Sequence, residues 1–242
     1  MIEIRHSNVN NKIDLQSEYN LIYKNTEFTL RDSFYLWILK LLKPEPGKLL
    51  LDISCGQGTL IKFAQKIGLI SIGLDFSIEA IKKAAIISPQ SHWIISDGEA
   101  IPLSDSCIDY VTNIGSIEHY QHPEEGINEI SRVLKSNGTA CILLPNSFGL
   151  FGNIKNVLKT GQVFDDIQPL QRYNTPTGWF NMLTTNGLHP IKVYKYEREW
   201  PQTMKDLWWY LLNPQKIARL LITWIIPTNL ANCLVYICKK IS

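Results

Sequence analysis

The residues able to do chemistry in this chain gather in one stretch, Leu49-Leu50-Leu51-Asp52-Ile53-Ser54-Cys55-Gly56-Gln57-Gly58-Thr59-Leu60. An apolar run of strand length passes into a turn of small residues and then directly into a helical pattern. Gly56 and Gly58 lack side chains, so the backbone can approach a ligand closely beside the exposed amides of a helix start. About twenty residues on, Asp75 closes the next apolar run in Gly73-Leu74-Asp75-Phe76-Ser77. A carboxylate there can accept two hydrogen bonds from ribose hydroxyls. Asp97-Gly98-Glu99 ends the third run, where an adenine edge could be read. Blander readings compete: a glycine pair after a strand can be a mere tight turn, and Asp75 or Ser77 can simply cap a helix.

Such residues need a scaffold, and the pattern from Lys48 supplies one. Apolar runs at 49–53, 69–74, 93–95, 108–114 and 139–144 alternate with helical stretches near 58–67, 77–87 and 123–135. In the last of these, Pro123, Glu124 and Glu125 suit a helix start, and Lys135, Asn137 and Gly138 suit its end. Strands apolar on both faces, alternating with helices, predict a parallel sheet covered on two sides. Upstream, the first 28 residues are polar and without clear pattern. A helix is expected from Thr29, with Thr29 and Asp32 as a capping box and Leu30, Phe34, Trp37, Ile38, Leu41 and Leu42 on one face. Downstream, a helix over 177–186, a strand over 191–196, a Trp-rich helical region over 203–226 and a last strand over 230–238 are expected.

Composition sets the limits. At 242 residues the chain is expected to be one elaborated domain or one domain plus a small appendage, and the single domain is the preferred reading. It reads as a helical cap (1–46), a ligand-binding core (47–146) and covering insertions with the last strands (147–242). Lys and Arg number 24 and Asp and Glu 22, a net +2 that gives no electrostatic case for a nucleic-acid partner. Five cysteines with no C-x-x-C pair argue against a disulfide framework or a zinc ribbon. His119 and His122 form an H-x-x-H with no third ligand evident, so no metal site is expected. Residues 1–16 lack the apolar stretch of a signal peptide, which predicts a cytoplasmic protein.

The glycine loop and Asp75 fit NAD and S-adenosylmethionine alike. Two features separate them: Ile61 stands where the dinucleotide pattern wants a third Gly or Ala, and the third acidic site at Asp97 is additional. The stretches LLLDISCGQGTL, IGLDFS, SDGEAIPLSDSCIDYV and IEHYQHPEEGINEISRVLKSNGTACILLPN, in this order over 48–146, resemble class I S-adenosylmethionine-dependent methyltransferases of the small-molecule branch. The resemblance implies a doubly wound, Rossmann-like sheet of seven strands, mostly parallel, whose last strand is antiparallel. It implies that Asp52 organises the methionine end and that Ser54, Cys55, Gly56 and Gly58 line the cofactor. Asp75 with Phe76 would hold the ribose, Asp97, Gly98 and Glu99 the adenine, and Asn113 and Ile114 the floor near the sulfonium. The family's loop often starts with glycine where this chain has Ser54.

Transfer to a small-molecule acceptor is then expected, with oxygen ahead of nitrogen or carbon. A cofactor-binding protein without turnover and a nicotinamide-dependent oxidoreductase are the alternatives. His119 is the candidate general base, set against a structural histidine that merely packs its loop. Tyr120, Arg172, Tyr173 and Trp179 are candidate acceptor contacts. The 203–226 region, with Trp208, Trp209 and Trp224, has two readings. One is a helical pair packed on the sheet or on a second subunit of an oligomer. The other is a peripheral membrane element facing anionic lipid through Lys205, Lys216 and Arg219, which would favour a lipid-linked acceptor.

Overall fold

The computed structural model describes residues 1–6, 9–26 and 29–241. The chain begins with β1 (Ile2–Arg5), α1 (Lys12–Asn25) and α2 (Asp32–Leu42). α1 starts where the Asn11 side chain accepts from the amides of Ile13 and Asp14, at 2.9 and 3.0 Å; these donors have no partner inside the helix. α2 is the expected apolar helix, but Thr29 does not cap it. Its N-cap is Arg31, and the Asp206 carboxylate accepts the Ser33 amide at 2.8 Å. A tertiary partner takes the place of the local capping box.

Alternation then sets in: β2 (Leu49–Ile53), α3 (Thr59–Lys66), β3 (Ile70–Asp75), α4 (Ile78–Ile87), β4 (His92–Ile95), β5 (Ile108–Ile114), α5 (Pro123–Val133) and β6 (Leu134–Pro145). α5 opens on Pro123 as its sequence suggests. It stops at Val133, earlier than expected, because Leu134 already pairs with Ile108. Lys135 to Gly138 then bulge out before Thr139 pairs with Tyr110, so Gly138 lies in a strand rather than closing a helix. The rest comprises α6 (Lys155–Thr160), β7 (Leu170–Tyr173), α7 (Pro176–Thr185), β8 (Leu188–Tyr196), α8 (Met204–Leu212), α9 (Pro214–Thr223) and β9 (Cys233–Lys240).

Seven strands form one sheet in the order β4-β3-β2-β5-β6-β9-β8. The pairings from β4 across to β6 are parallel, whereas β9 is antiparallel to both β6 and β8. This is the expected doubly wound sheet with its last strand reversed. The strand period of two divides the core between its faces: Leu50 packs with Phe34, Ile38 and Ile61, and Leu51 with Ile127, Ile130 and Leu183. Apart from the sheet, β1 and β7 make a two-stranded antiparallel ribbon, with Arg5 opposite Leu170 and Ile2 opposite Tyr173. Among the described residues no helix is long and apolar enough to cross a membrane.

Trp179, expected at the acceptor, is instead wholly buried in the core, and its indole N–H donates to the Pro145 carbonyl at 2.7 Å. A large amphipathic ring with one satisfied donor is core material. Trp179→Phe leaves that carbonyl short of a partner and a small void. It is expected to lower stability by about 1–3 kcal/mol in urea unfolding, with cofactor affinity unchanged.

Candidate functional site

At the carboxyl end of β2 the chain must turn out of the sheet and start α3 within a few residues. Ser54, Gly56 and Gly58 all adopt left-handed conformations to do so, at φ +55°, +54° and +71°. For serine this costs about 1–2 kcal/mol relative to glycine. The Ser54 hydroxyl recovers part of it through a 2.8 Å hydrogen bond with the Tyr120 hydroxyl, which also accepts from Asn113 Nδ2 at 3.0 Å. The departure from glycine is thus accommodated by Tyr120. Gly58 serves packing: a Cβ there would lie 2.3 Å from the Trp93 ring.

A cavity of about 340 Å³ opens over this rim, within the size range of small-ligand sites. Asp52, Ser54, Cys55 and Gly56 line it from β2, Asp75 and Phe76 from β3, Asp97, Gly98 and Glu99 beyond β4, and Ile114 from β5. Of the residues expected at the cofactor, only Gly58 and Asn113 do not line it. The Asn113 carboxamide is turned to the Ser116 hydroxyl, the Ile117 amide and Tyr120, and so fixes the loop after β5 from behind.

Asp75 is almost fully buried, and its two oxygens accept from the Gly56 and Ser77 amides, each at 2.9 Å. A carboxylate has about four acceptor positions, so capacity remains for a hydroxyl. It therefore shapes the loop and keeps capacity for a ligand. Burial raises its carboxyl to about 6, against those amide hydrogen bonds. Burial likewise raises Asp52 to about 7, against a 2.7 Å hydrogen bond from Thr112.

The opposite wall is α1, which the sequence left unassigned. Lys12, Leu15, Tyr19 and Tyr23 line the cavity from this helix. Lys12 Nζ lies 2.7 Å from Asp97 and 2.6 Å from Glu99. Burial opposes its charge, but these hydrogen bonds outweigh that and raise its pKa. Gln16 donates to the Phe76 carbonyl at 2.6 Å, which ties the helix to the rim. Asn11 followed by Leu15, Tyr19 and Ile22 at helical spacing was the signal available for this wall. Tyr35 and Gln168 complete it without any such signal.

A single helical turn, Ile117–His119, follows β5 and brings His119 and Tyr120 to the cavity. His119 Nδ1 donates to the Leu170 carbonyl, and no hydrogen bond to its Nε2 is found among the described residues. Burial lowers the His119 pKa against that hydrogen bond, so the ring is neutral at neutral pH. The Glu118 carboxyl, 3.9 Å from Nε2, is raised to about 8 by burial.

Two other acceptor candidates lie elsewhere. The Arg172 guanidinium is buried and bonded to Glu3, to the Tyr120 carbonyl and to the Gln121 carbonyl. It braces β1, β7 and the loop after His119. Tyr173 donates its hydroxyl to the Phe164 carbonyl at 2.9 Å and does not line the cavity.

The donor set suits an adenosyl sulfonium: carboxylates for hydroxyls and cationic groups, bare main chain at Gly56, and aromatic cover. Residues 51–142 match the family described as methyltransferase domain. A demethylmenaquinone methyltransferase of Lactobacillus johnsonii is 32% identical over 202 residues, covering 73% of this chain and 80% of that protein. A ubiquinone/menaquinone biosynthesis C-methyltransferase of Roseobacter denitrificans is 30% identical over 117 residues, 43% of this chain and 47% of that relative. The chain spans about half the length of several curated relatives it matches. An S-adenosylmethionine-dependent methyltransferase structure from Mesorhizobium loti superposes with TM-score 0.61 at 14% identity, covering 84% of this chain and 95% of that one; this likeness is one of fold. With four-fifths of the Lactobacillus relative matched at nearly one residue in three, the chain belongs to the class I S-adenosylmethionine-dependent methyltransferases.

Proposed function

We propose that this protein moves a methyl group from S-adenosylmethionine to an apolar, ring-bearing small molecule, with His119 as the base. The carrying observation is that His119 lines the same cavity as the cofactor rim, with one nitrogen committed to Leu170 and the other without a hydrogen bond. When bound, the cofactor would supply an activated methyl on a sulfonium, its sulfur keeping the electron pair of the broken sulfur–carbon bond as a neutral thioether. The chain's own residues that would hold the adenosyl group are Asp75, Asp97 and Glu99, and Asp52, once ionised by the cationic ligand, would face the methionine end. α1 and Tyr35 exclude water, and His119 Nε2 takes the proton of an acceptor hydroxyl as its oxygen forms the new bond to carbon. Holding acceptor and donor aligned contributes on the order of 7–11 kcal/mol.

Oxygen is the expected acceptor atom. Transfer to carbon, which the Roseobacter relative's name carries, uses the same deprotonation, because the ring carbon beside a phenolate is itself nucleophilic. The lining of Leu15, Tyr19, Tyr23 and Leu30 favours an aromatic or lipid-linked acceptor over a charged one. The test is incubation with methyl-labelled cofactor and a panel of phenols and hydroquinones, with products located by mass spectrometry. Labelled product is expected. Cofactor binding without turnover of any acceptor favours a binding protein, and a thermal shift with NAD rather than S-adenosylmethionine overturns the reading.

The acidic rim also predicts a pH dependence. The folded pKa values of Asp52 and Asp75 lie above the ordinary carboxyl value near 4, so without ligand their ionisation opposes folding as pH rises through about 6–7. A cationic ligand favours the ionised forms. Affinity for S-adenosylmethionine is therefore expected to rise between pH 5 and 8 and then level off, as read by calorimetry.

A further inference from the structure

α8 and α9 bury Tyr210 and Leu220 but present many of their other apolar residues outward. On α9, Pro214, Ala218 and Leu221 recur at helical spacing on the exposed side and continue into Ile225, while Arg219 is turned inward to Glu197. On α8 the polar Asp206 is buried against Ser33, whereas Trp208 and Leu212 are 61% and 78% exposed. Trp224 and Ile225, just past α9, are 77% and 82% exposed. An amphipathic helix of a soluble face does the opposite, and so much adjoining exposed apolar surface marks a docking site.

Charge selects the occupant. The residues from 200 to 230 contain one acidic side chain, the buried Asp206, against Lys205 and Lys216, with Arg219 paired inward to Glu197. The patch is also joined to the reaction cavity. A second cleft, lined by Arg31, Lys62 and Lys205 and also by Asp32 and Asp206, shares Thr29 and Leu30 with it. We infer that α8 and α9 seat the protein on an anionic lipid surface, lying along it with Trp208 and Trp224 at headgroup depth, so that the cavity mouth at Thr29 and Leu30 takes its acceptor from the lipid phase. α9 has ten residues and spans roughly 15 Å, too short to cross a bilayer but suited to lie in its interface. The inference rests on the proposed function for its acceptor clause only.

The test is co-sedimentation of the full chain with vesicles of equimolar phosphatidylcholine and phosphatidylglycerol, against pure phosphatidylcholine. Binding to the anionic vesicles, weakened by salt, is expected. Lys205→Gln and Lys216→Gln are each expected to weaken it roughly fivefold. The pair Trp208→Ala and Trp224→Ala is expected to abolish it, with calorimetry showing unchanged S-adenosylmethionine affinity as proof of folding. Absent vesicle binding, binding indifferent to these variants, or self-association through this face in place of lipid binding overturns the inference. Because no step depends on turnover, its failure is separable from failure of the methyl-transfer reading.

Discussion

Asp75→Ala is expected to weaken S-adenosylmethionine binding by roughly 10²- to 10⁴-fold. On the proposed reading the ribose loses its hydrogen bonding to a charged group, each such bond worth about 1.5–3 kcal/mol. The loop loses as well, because the Gly56 and Ser77 amides that now donate to Asp75 are left without their acceptor. Calorimetry at pH 8, above the raised pKa of about 6, reads the charged form. Equal affinity in the variant removes Asp75 from the ligand site and leaves it a loop brace only.

His119→Ala should lower kcat by roughly 10²- to 10⁴-fold for a hydroxyl acceptor, the usual worth of a positioned base, while cofactor affinity stays as it was. The pH profile carries the sign. Burial holds the His119 pKa below its ordinary 6.5, so the working neutral ring is lost only as pH falls below that value. With cofactor saturating at every pH, kcat of the parent protein therefore rises through mildly acid pH and is flat above it, and the acid limb vanishes in the variant. A profile that keeps its acid limb after His119→Ala assigns the titration to another group.

Much of the cofactor side was legible because its signals are local. A strand, a glycine turn and a helix lie within a dozen residues, and Asp75 and Asp97 each end an apolar run, so spacing alone places them on one rim. The wall formed by α1 was missed because its apolar residues are scattered around the helix, Leu15 and Tyr19 being buried while Ile13 and Leu21 are exposed. Arg172 and Trp179 look like substrate residues in one dimension. Only tertiary partners, Glu3 and the Tyr120 carbonyl for one and the Pro145 carbonyl for the other, show that their polar groups are already engaged. The Thr29 capping box failed for the same reason: the Asp206 acceptor comes from more than a hundred residues away.

The small β1–β7 ribbon reaches further than its size suggests. Leu170, paired with Arg5, is the residue whose carbonyl decides which imidazole nitrogen keeps its proton, and Glu3 steadies the arginine that clamps the following loop. A segment with no reactive atom of its own thus governs the tautomer of the proposed base. Slippage of that ribbon by one register would move the Leu170 carbonyl away from the ring and free both imidazole nitrogens to exchange their roles.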